Sequence, residues 1–311
     1  MIKFYLRLLI LFTCFHPMFL TSQEPDIFTI SDFDLKGNVK TSTVITDYGK
    51  ELFEFDTEGR LVKLVTKYND TDEDITFYKY EDGMLAEKRM ESYKNGKLDV
   101  KTSMASFYEL DTINNRIVGE KVVSYDKEFA ENQLYNYGGD GRLQSIITSH
   151  QDAVDETKIE YEMYKNERTV NFFTNGIIDK SIRNSEKVKK NGDTLKIELT
   201  KKFVDGDPNM AVEKVTDPKG LLQSESTFFY NPKENQFMVD EERKYTYDEN
   251  GVLKSVTTKQ GNNTSTEEFI FQFDDSKAKN WVKKIVTPQN AYTTRKITYY
   301  PIALAQQDEE Q

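Results

Sequence analysis

One short pattern recurs along the chain and restricts what the chain can fold into. Two aromatic residues separated by one residue precede an acidic or polar turn that ends in glycine. The pattern occurs at residues 53–59, 78–83, 135–141 and 245–251, and its aromatic part returns at residues 271–273. Because successive side chains of a strand point to opposite faces, aromatic residues two positions apart lie on one face of a sheet. The pattern therefore predicts one β-hairpin after another.

The turns of these hairpins have matching chemistry. An Asp carboxylate at the start of a turn bonds the backbone amide two residues on, and glycine accepts the positive φ that closes the turn. Residues 217–220 (Asp-Pro-Lys-Gly) fit a type I turn, and Asn95-Gly96 fits a two-residue type I′ hairpin. Seven of the 15 glycines are followed two positions later by Leu or Ile, which begins the returning strand; they are Gly59, Gly83, Gly96, Gly141, Gly176, Gly220 and Gly251.

Strand signals fill most of the remaining chain. Segments rich in β-branched or aromatic residues lie at residues 39–45, 121–125, 158–164, 169–174, 195–203 and 296–300. One short helix is predicted at residues 126–132. The sequence thus predicts an all-β protein, an antiparallel meander of repeated hairpins whose sheet is open or curled into a partial solenoid. Unprotected edges of such a sheet would also permit self-assembly.

The first 22 residues are typical of a secretory signal peptide. Lys3 and Arg7 precede an apolar stretch that ends in small and polar residues near Ser22. Cys14 lies inside this apolar stretch, and because Thr13 precedes it we interpret it as part of the signal rather than a lipoprotein attachment site. We therefore expect a signal peptide at residues 1–22, one β-repeat domain at residues 23–301 and a disordered polar tail at residues 302–311. The protein is expected in the periplasm or at the cell surface.

Composition excludes several classes of function. The formal charge of -11 opposes general binding of nucleic acid, which needs a basic surface. Removal of residues 1–22 would leave 40 basic and 53 acidic residues, a charge of -13, and no cysteine for disulfides or thiol catalysis. It would also leave one histidine, His150, which we interpret as a polar residue at a strand end. A mean hydropathy of -0.70 opposes a multi-span helical membrane protein.

A transmembrane barrel is a further alternative for an exported all-β chain. Its lipid-facing positions must be apolar in every strand. Residues 196–202 contain three lysines and a glutamate, which we interpret as charge on both faces of one strand. We therefore expect a protein that does not span a membrane.

The repeated units also resemble a known family. Residues 53–61 and 245–253 resemble the YD repeats of RHS-type proteins, and the chain resembles the exported YD-repeat-like proteins common in Bacteroidetes. Those proteins begin with a Leu-Lys-Gly-x-Val-Lys strand, as at residues 35–40. They often end with an Asn-Trp-x-Lys strand, as at residues 280–283, and a Thr/Arg-rich strand before Tyr-Tyr, as at residues 294–300. The resemblance implies an exported β-sheet protein, sometimes described as carbohydrate-binding, and it implies no catalytic residues.

One acidic cluster has the spacing of a calcium loop. Asp70, Asp72, Asp74 and Glu81 fall at positions 1, 3, 5 and 12 of such a loop. Ile75 occupies the position that needs glycine, and residues 76–80 are typical of a strand. We interpret the cluster as a solvated hairpin loop and predict no metal site and no cofactor.

The aromatic rows have two interpretations. Aromatic faces can stack on sugar rings, but alternating aromatics more often form the core side of a sheet. We predict a core role for Phe53, Phe55, Tyr245, Tyr247, Phe271 and Phe273, and we predict that Trp281 is a buried anchor of the last hairpins.

Asp111-Thr112-Ile113 and Asp193-Thr194-Leu195 resemble the O-glycosylation triplets of exported Bacteroidetes proteins, with ordinary turn starts as the alternative.

These observations favour a non-enzymatic binding or structural protein outside the cytoplasm, engaging a glycan or a cell-envelope partner. The alternative is a glycan-active hydrolase that uses two carboxylates, because such a pair need not be close in sequence. No catalytic residue is predicted, and the ligand-binding residues stay unassigned. The hydrolase predicts a cleft with two facing acids, whereas the binding protein predicts a broad open face.

Overall fold

The computed structural model describes residues 27–46, 49–150 and 152–301. Within these ranges a short 3-10 helix, Ile30–Phe33, precedes 21 strands. The strands are β1 (Val39–Thr46), β2 (Gly49–Phe55), β3 (Leu61–Lys67), β4 (Glu73–Glu81), β5 (Met84–Lys94), β6 (Lys97–Leu98), β7 (Met104–Asp111), β8 (Arg116–Ser124), β9 (Ala130–Tyr137), β10 (Leu143–Ser149), β11 (Val154–Tyr164), β12 (Glu167–Thr174), β13 (Ile177–Val188), β14 (Thr194–Val204), β15 (Asp207–Thr216), β16 (Leu222–Asn231), β17 (Gln236–Tyr247), β18 (Leu253–Gln260), β19 (Asn263–Phe273), β20 (Trp281–Thr287) and β21 (Ala291–Tyr299).

All strands belong to one antiparallel sheet, and that sheet closes on itself. Each strand pairs with the next along the chain, except that β7 pairs with β5 rather than with the two-residue β6, which also pairs with β5. The first strand, β1, pairs with β2 on one side and with the last strand, β21, on the other. Leaving out β6, 20 of the 21 strands form a closed ring. The sheet is therefore a barrel, and closure removes the free edges that an open sheet would have.

The predicted all-β antiparallel meander is confirmed, but the predicted open or partly solenoidal sheet is wrong. Closure depends on pairing between β1 and β21, which lie at opposite ends of the chain, and no hairpin motif reports on that pairing. The signal peptide, Cys14 and the polar tail lie outside the described residues.

The predicted helix at residues 126–132 is also wrong. Asp126 instead starts a turn, in which its carboxylate accepts hydrogen bonds from the Ser124 hydroxyl at 2.5 Å and the Glu128 amide at 3.1 Å. Lys127 has a φ of 64°, which is left-handed, and β9 begins at Ala130. No helix within the described ranges has the length and hydropathy needed to cross a bilayer.

The turn chemistry is confirmed. At residues 217–220 the amide of Gly220 donates to the carbonyl of Asp217 at 2.9 Å, and the amide of Lys219 donates to the Asp217 carboxylate at 2.9 Å. Gly220 has a φ of 83°. Asn95 and Gly96 have φ values of 52° and 71°, as a type I′ turn requires.

The barrel wall has two faces that differ in burial, and β11 shows the difference. Ile159 is buried and Tyr161 half-buried, whereas Glu156, Lys158, Glu160 and Glu162 on the other face are exposed. We name the face that carries Phe53, Tyr135, Ile159 and Phe172 the aromatic face, and its opposite the polar face. The two hydrophobic clusters of the core include these four residues.

The register of β14 separates most of the charge of residues 196–202 from their apolar side chains. Lys196 and Glu198 lie on one face of that strand, while Ile197 and Leu199 lie on the other, where they pair with Ser185 and Arg183. Lys202 shares the face of Lys196 and Glu198, whereas Lys201 lies on the face of Ile197 and Leu199, so three of the four charges of residues 196–202 lie on one face. Lys201 interrupts this period of two.

Alternation of up and down strands places the turns that fit the Asp-to-Gly outline at one end of the barrel. The turns between β2 and β3, β9 and β10, β15 and β16, and β17 and β18 lie there, together with the chain ends at residues 27–38 and 300. We name this the Asp/Gly end. The buried residues Phe55, Leu61 and Leu143 lie next to these turns, so the core is concentrated near this end.

Candidate functional site

The residues that close the barrel meet at the Asp/Gly end. The Asn280 side chain is buried, and it pairs with the backbone of Lys36: its oxygen accepts from the amide at 2.8 Å and its nitrogen donates to the carbonyl at 2.8 Å. The same nitrogen donates to the Tyr299 hydroxyl at 2.9 Å. The Asn280 side chain thus forms with Lys36 the pair of hydrogen bonds that a neighbouring strand would form, and it holds residues 27–38 to the last hairpins.

A second set of contacts fixes the same segment. The Trp281 indole N–H donates to the Asp34 carboxylate at 2.8 Å, and the Arg295 guanidinium lies 3.5 Å from the Trp281 ring centroid. Arg295 also donates to the backbone carbonyls of Phe33 at 3.0 Å and Asp34 at 3.2 Å. We name these contacts, with the β1–β21 pairing, the closing seam. Trp281 is buried, as predicted for an anchor of the last hairpins.

Tyrosines of the repeated motif form a recurring contact that the sequence reasoning missed. Each donates its hydroxyl to the carbonyl of the residue that begins or nearly begins the preceding strand, as Tyr80 does to Leu61 at 2.8 Å. We name this contact the tyrosine clasp. The other clasps of this kind join Tyr137 to Ile117, Tyr161 to Leu143 and Tyr247 to Leu222. It satisfies carbonyls beside the turns, where the strand ladder ends.

Arginine covers three of these tyrosine rings. The guanidinium carbons of Arg60, Arg116 and Arg142 lie 4.8, 4.2 and 5.4 Å from the ring centroids of Tyr80, Tyr137 and Tyr161, respectively. In the sequence the signal is an arginine directly before the Leu or Ile of the returning strand, followed roughly 20 residues later by a tyrosine. One face of each of these three tyrosine rings is thus covered by an arginine of the barrel wall.

The predicted aromatic rows divide into core and partly accessible positions. Phe53 and Phe55 are buried, which confirms their core role. Tyr245, Tyr247 and Phe271 are half-buried, and Phe273 is exposed, so the core prediction is wrong for Phe273.

The four residues with calcium-loop spacing do not converge. Asp74 and Glu81 lie in one extended strand, β4, so seven residue steps place them roughly 23 Å apart. The Asp72 carboxylate accepts hydrogen bonds from Asn69 at 2.9 Å and the Asn95 amide at 2.7 Å, and these bonds lower its pKa. Asp70 lies in the turn. Within the described ranges, no group of three or more His, Cys, Asp or Glu side chains is arranged to hold a metal ion.

His150 lies in the turn after β10, at the end of the barrel opposite the Asp/Gly end. Its Nδ1 lies 3.3 Å from the Glu131 carboxylate and its Nε2 lies 3.8 Å from the Asp155 carboxylate. Together with Phe129, Ala130, Ala153 and neighbouring acids it lines an open recess of about 280 Å³. This arrangement places the imidazole ring between two acids.

A larger open recess of about 380 Å³ lies beside the turn that joins β9 and β10. Its lining combines Asp140, Arg142 and Gln144 with Lys158 and Glu160 of β11. Side chains of both charges and an amide can donate and accept hydrogen bonds over a broad surface. The recess is open rather than a deep cleft.

The two Asp-Thr triplets lie at turns. The Asp111 carboxylate accepts from the amides of Ile113 at 3.2 Å and Asn114 at 3.1 Å, and Thr112 is exposed. Asp193 is exposed and Thr194 begins β14.

Comparison with known proteins finds similarity only at the level of structure. No family model matches the chain, and no curated protein matches it. A porin-like protein from Bacteroides vulgatus is 12% identical and covers 85% of this chain and 99% of its own, with a TM-score of 0.25. A porin-like protein from Bacteroides uniformis is 7% identical over 84% of this chain and 98% of its own, with a TM-score of 0.30. A protein of unknown function from Bacteroides fragilis is 13% identical over 55% of this chain and 91% of its own, with a TM-score of 0.19.

Two expectations from the sequence do not stand. The resemblance to YD-repeat proteins led to the expectation of an open or solenoidal sheet, whereas the sheet closes between β1 and β21. The expectation that the protein does not span a membrane rested on charge along both faces of β14, but on the face of Ile197 and Leu199, Lys201 is the one charged residue of that strand. Closure of the sheet also opposes that expectation, because a closed sheet leaves no unpaired strand edge, as a sheet that spans a bilayer requires.

Proposed function

We propose that the protein is an exported, non-enzymatic β-barrel protein of the cell envelope. The pairing of β1 with β21, which closes 20 strands into one ring, carries this proposal. Barrels of 16 to 18 strands already leave an aqueous interior, so a ring of this size encloses a wide space. The apolar stretch before Ser22 supports export.

The proposal extends to the organisation of the chain. We propose that residues 1–22 are removed, that residues 23–301 form a single domain and that residues 302–311 are a polar tail. The described part of residues 23–301 supports this division because it contributes to one continuous sheet.

A glycan or another envelope component is the proposed partner. The recess beside Arg142 and Glu160 supports this part, because its donors and acceptors suit the hydroxyl groups of a sugar. Its open shape favours binding over hydrolysis, which needs two acids facing each other across a cleft.

Export and activity are tested together. The full chain would be produced in a Gram-negative host, separated into cytosolic, periplasmic, outer-membrane and medium fractions, and its N-terminus sequenced. We expect a processed chain starting near residue 23 outside the cytosol, and an intact chain in the cytosol would refute export. The same preparation would be screened for glycan hydrolysis and on a glycan array. Turnover would refute the non-enzymatic assignment, and a negative array would refute the glycan as partner.

A further inference from the structure

A row of cross-strand partners on the aromatic face combines positive charge with apolar surface. Phe172 of β12 pairs with Lys180 of β13, which pairs with Lys202 of β14. Lys202 pairs with Met210 of β15, which pairs with Phe229 of β16. We name these five residues the lysine row. Neighbouring strands lie about 4.8 Å apart, so the row spans roughly 19 Å across the barrel wall.

The two lysines of the row are direct cross-strand partners. Like charges directly opposite in a sheet are destabilising. Neither ammonium group forms an ion pair with a carboxylate of the described residues, although Lys214 and Arg183 nearby do. Burial lowers the pKa of Lys180, an effect that Asp179 opposes and the charge of Lys202 increases. An anion between the two groups would relieve this repulsion.

Apolar surface continues from the lysines in one direction. The Lys180 ammonium lies 4.1 Å from the ring centroid of buried Phe172, so that side is covered. On the other side Met210 is 37% exposed and Phe229 is 48% exposed. A ligand held by the lysines would therefore meet accessible apolar surface only beyond Lys202.

We propose that the lysine row binds an amphipathic anion, with its carboxylate or phosphate group between Lys180 and Lys202 and its apolar group along Met210 and Phe229. Charge complementarity fixes the position of the head group, and the exposed thioether and phenyl groups accept the alkyl chain. This site is separate from the recess beside Arg142 and does not depend on the glycan partner proposed there.

Four probe compounds distinguish the contribution of the charged head group to binding from that of the apolar chain. Calorimetric titration of the processed full chain would use octanoate, octyl phosphate, acetate and 1-octanol. We expect octanoate or octyl phosphate to bind about tenfold or more tightly than acetate or 1-octanol, because each control lacks one of the two contacts. The stronger of the two anions identifies the preferred head group. Equal binding of 1-octanol and octanoate, or no binding of either anion at millimolar concentration, would overturn the proposal.

Variants locate the site. Lys202→Gln and Phe229→Ser change exposed side chains, and we expect each to weaken binding of the preferred anion by about tenfold. Lys201→Gln is the matched control, since Lys201 neighbours Lys202 but points to the opposite face. Circular dichroism would verify folding of all three. Equal losses in Lys201→Gln and Lys202→Gln would show nonspecific attraction and would refute this site.

Discussion

At the scale of single residues, the buried amide of Asn280 joins two parts of the chain that lie 244 positions apart. Asn280→Ala removes three hydrogen bonds and leaves the Lys36 amide and carbonyl without these partners. Because an unsatisfied buried group costs about 1 to 3 kcal/mol, we expect a loss of about 2 kcal/mol or more in the free energy of unfolding. Urea denaturation would measure it. Asn250→Ala, at an exposed turn position, should change stability by less than about 0.5 kcal/mol. Equal effects would contradict the role assigned to Asn280.

A carboxylate beside the same seam predicts a dependence on pH. Burial acts to raise the pKa of Asp274, but hydrogen bonds from Tyr299, Ser276 and the Asn280 amide outweigh it and lower that pKa below the ordinary value of 3.8. The charged form is therefore favoured by folding. Its contribution to stability is complete above the unfolded-state pKa and is lost as pH falls through the lower folded-state pKa.

Asp274→Asn tests this dependence. We expect the variant to be less stable than the parent at pH 7 and the difference to shrink below pH 3.8, where the parent carboxylate becomes protonated. Unfolding midpoints at pH 7 and at low pH would measure both. Asp275→Asn is the control at an exposed neighbouring position. A constant difference between parent and Asp274→Asn across this range would contradict the prediction.

At the scale of elements, the tyrosine clasp should stabilise hairpin after hairpin by a similar amount. Tyr137→Phe keeps the ring under Arg116 and removes only the hydroxyl that donates to Ile117. We expect a loss of about 1 kcal/mol in the free energy of unfolding, the usual net value of one hydrogen bond. Tyr80→Phe should behave alike, whereas Tyr164→Phe, at a tyrosine that is 69% exposed, should not. Thermal unfolding of the three variants gives the comparison, and equal losses in all three would rule out the clasp.

The elements also show how far sequence reasoning reaches. Turns such as residues 217–220 were predictable because Asp217 and Gly220 act within four residues. The strand at residues 196–202 was predicted, but the concentration of its charge on one face was missed because Lys201 interrupts the alternation. The prediction of a helix at residues 126–132 was wrong because the Asp126 carboxylate accepts hydrogen bonds within a turn. Such side-chain hydrogen bonds compete with helix formation, and composition does not show which of the two forms.

At the scale of the whole molecule, the decisive property is closure, which no local pattern encodes. The segments at residues 35–40 and 280–283 were recognised as separate motifs, yet nothing in either indicated that Asn280 binds Lys36. The lysine row was equally hidden, because its members come from five strands and become neighbours only through the register. The closing seam thus depends on closure, and the lysine row depends on the register of consecutive strands.

Closure itself can be tested by a covalent link across the seam. Thr43 of β1 and Lys296 of β21 are direct cross-strand partners, and facing residues have Cα atoms about 4.5 to 5.5 Å apart, which suits a disulfide. Because Cys14 is the only cysteine of the chain and precedes the expected cleavage site, the processed Thr43→Cys, Lys296→Cys variant would hold one thiol pair. We expect mild oxidation to join the pair in the monomer, shown by faster migration on non-reducing gels and by a linked peptide in mass spectrometry.

Thr43→Cys with Lys158→Cys, on distant strands β1 and β11, should stay reduced under the same conditions. Linkage in neither variant, or equally in both, would mean that β1 and β21 are not held side by side and that the sheet is open.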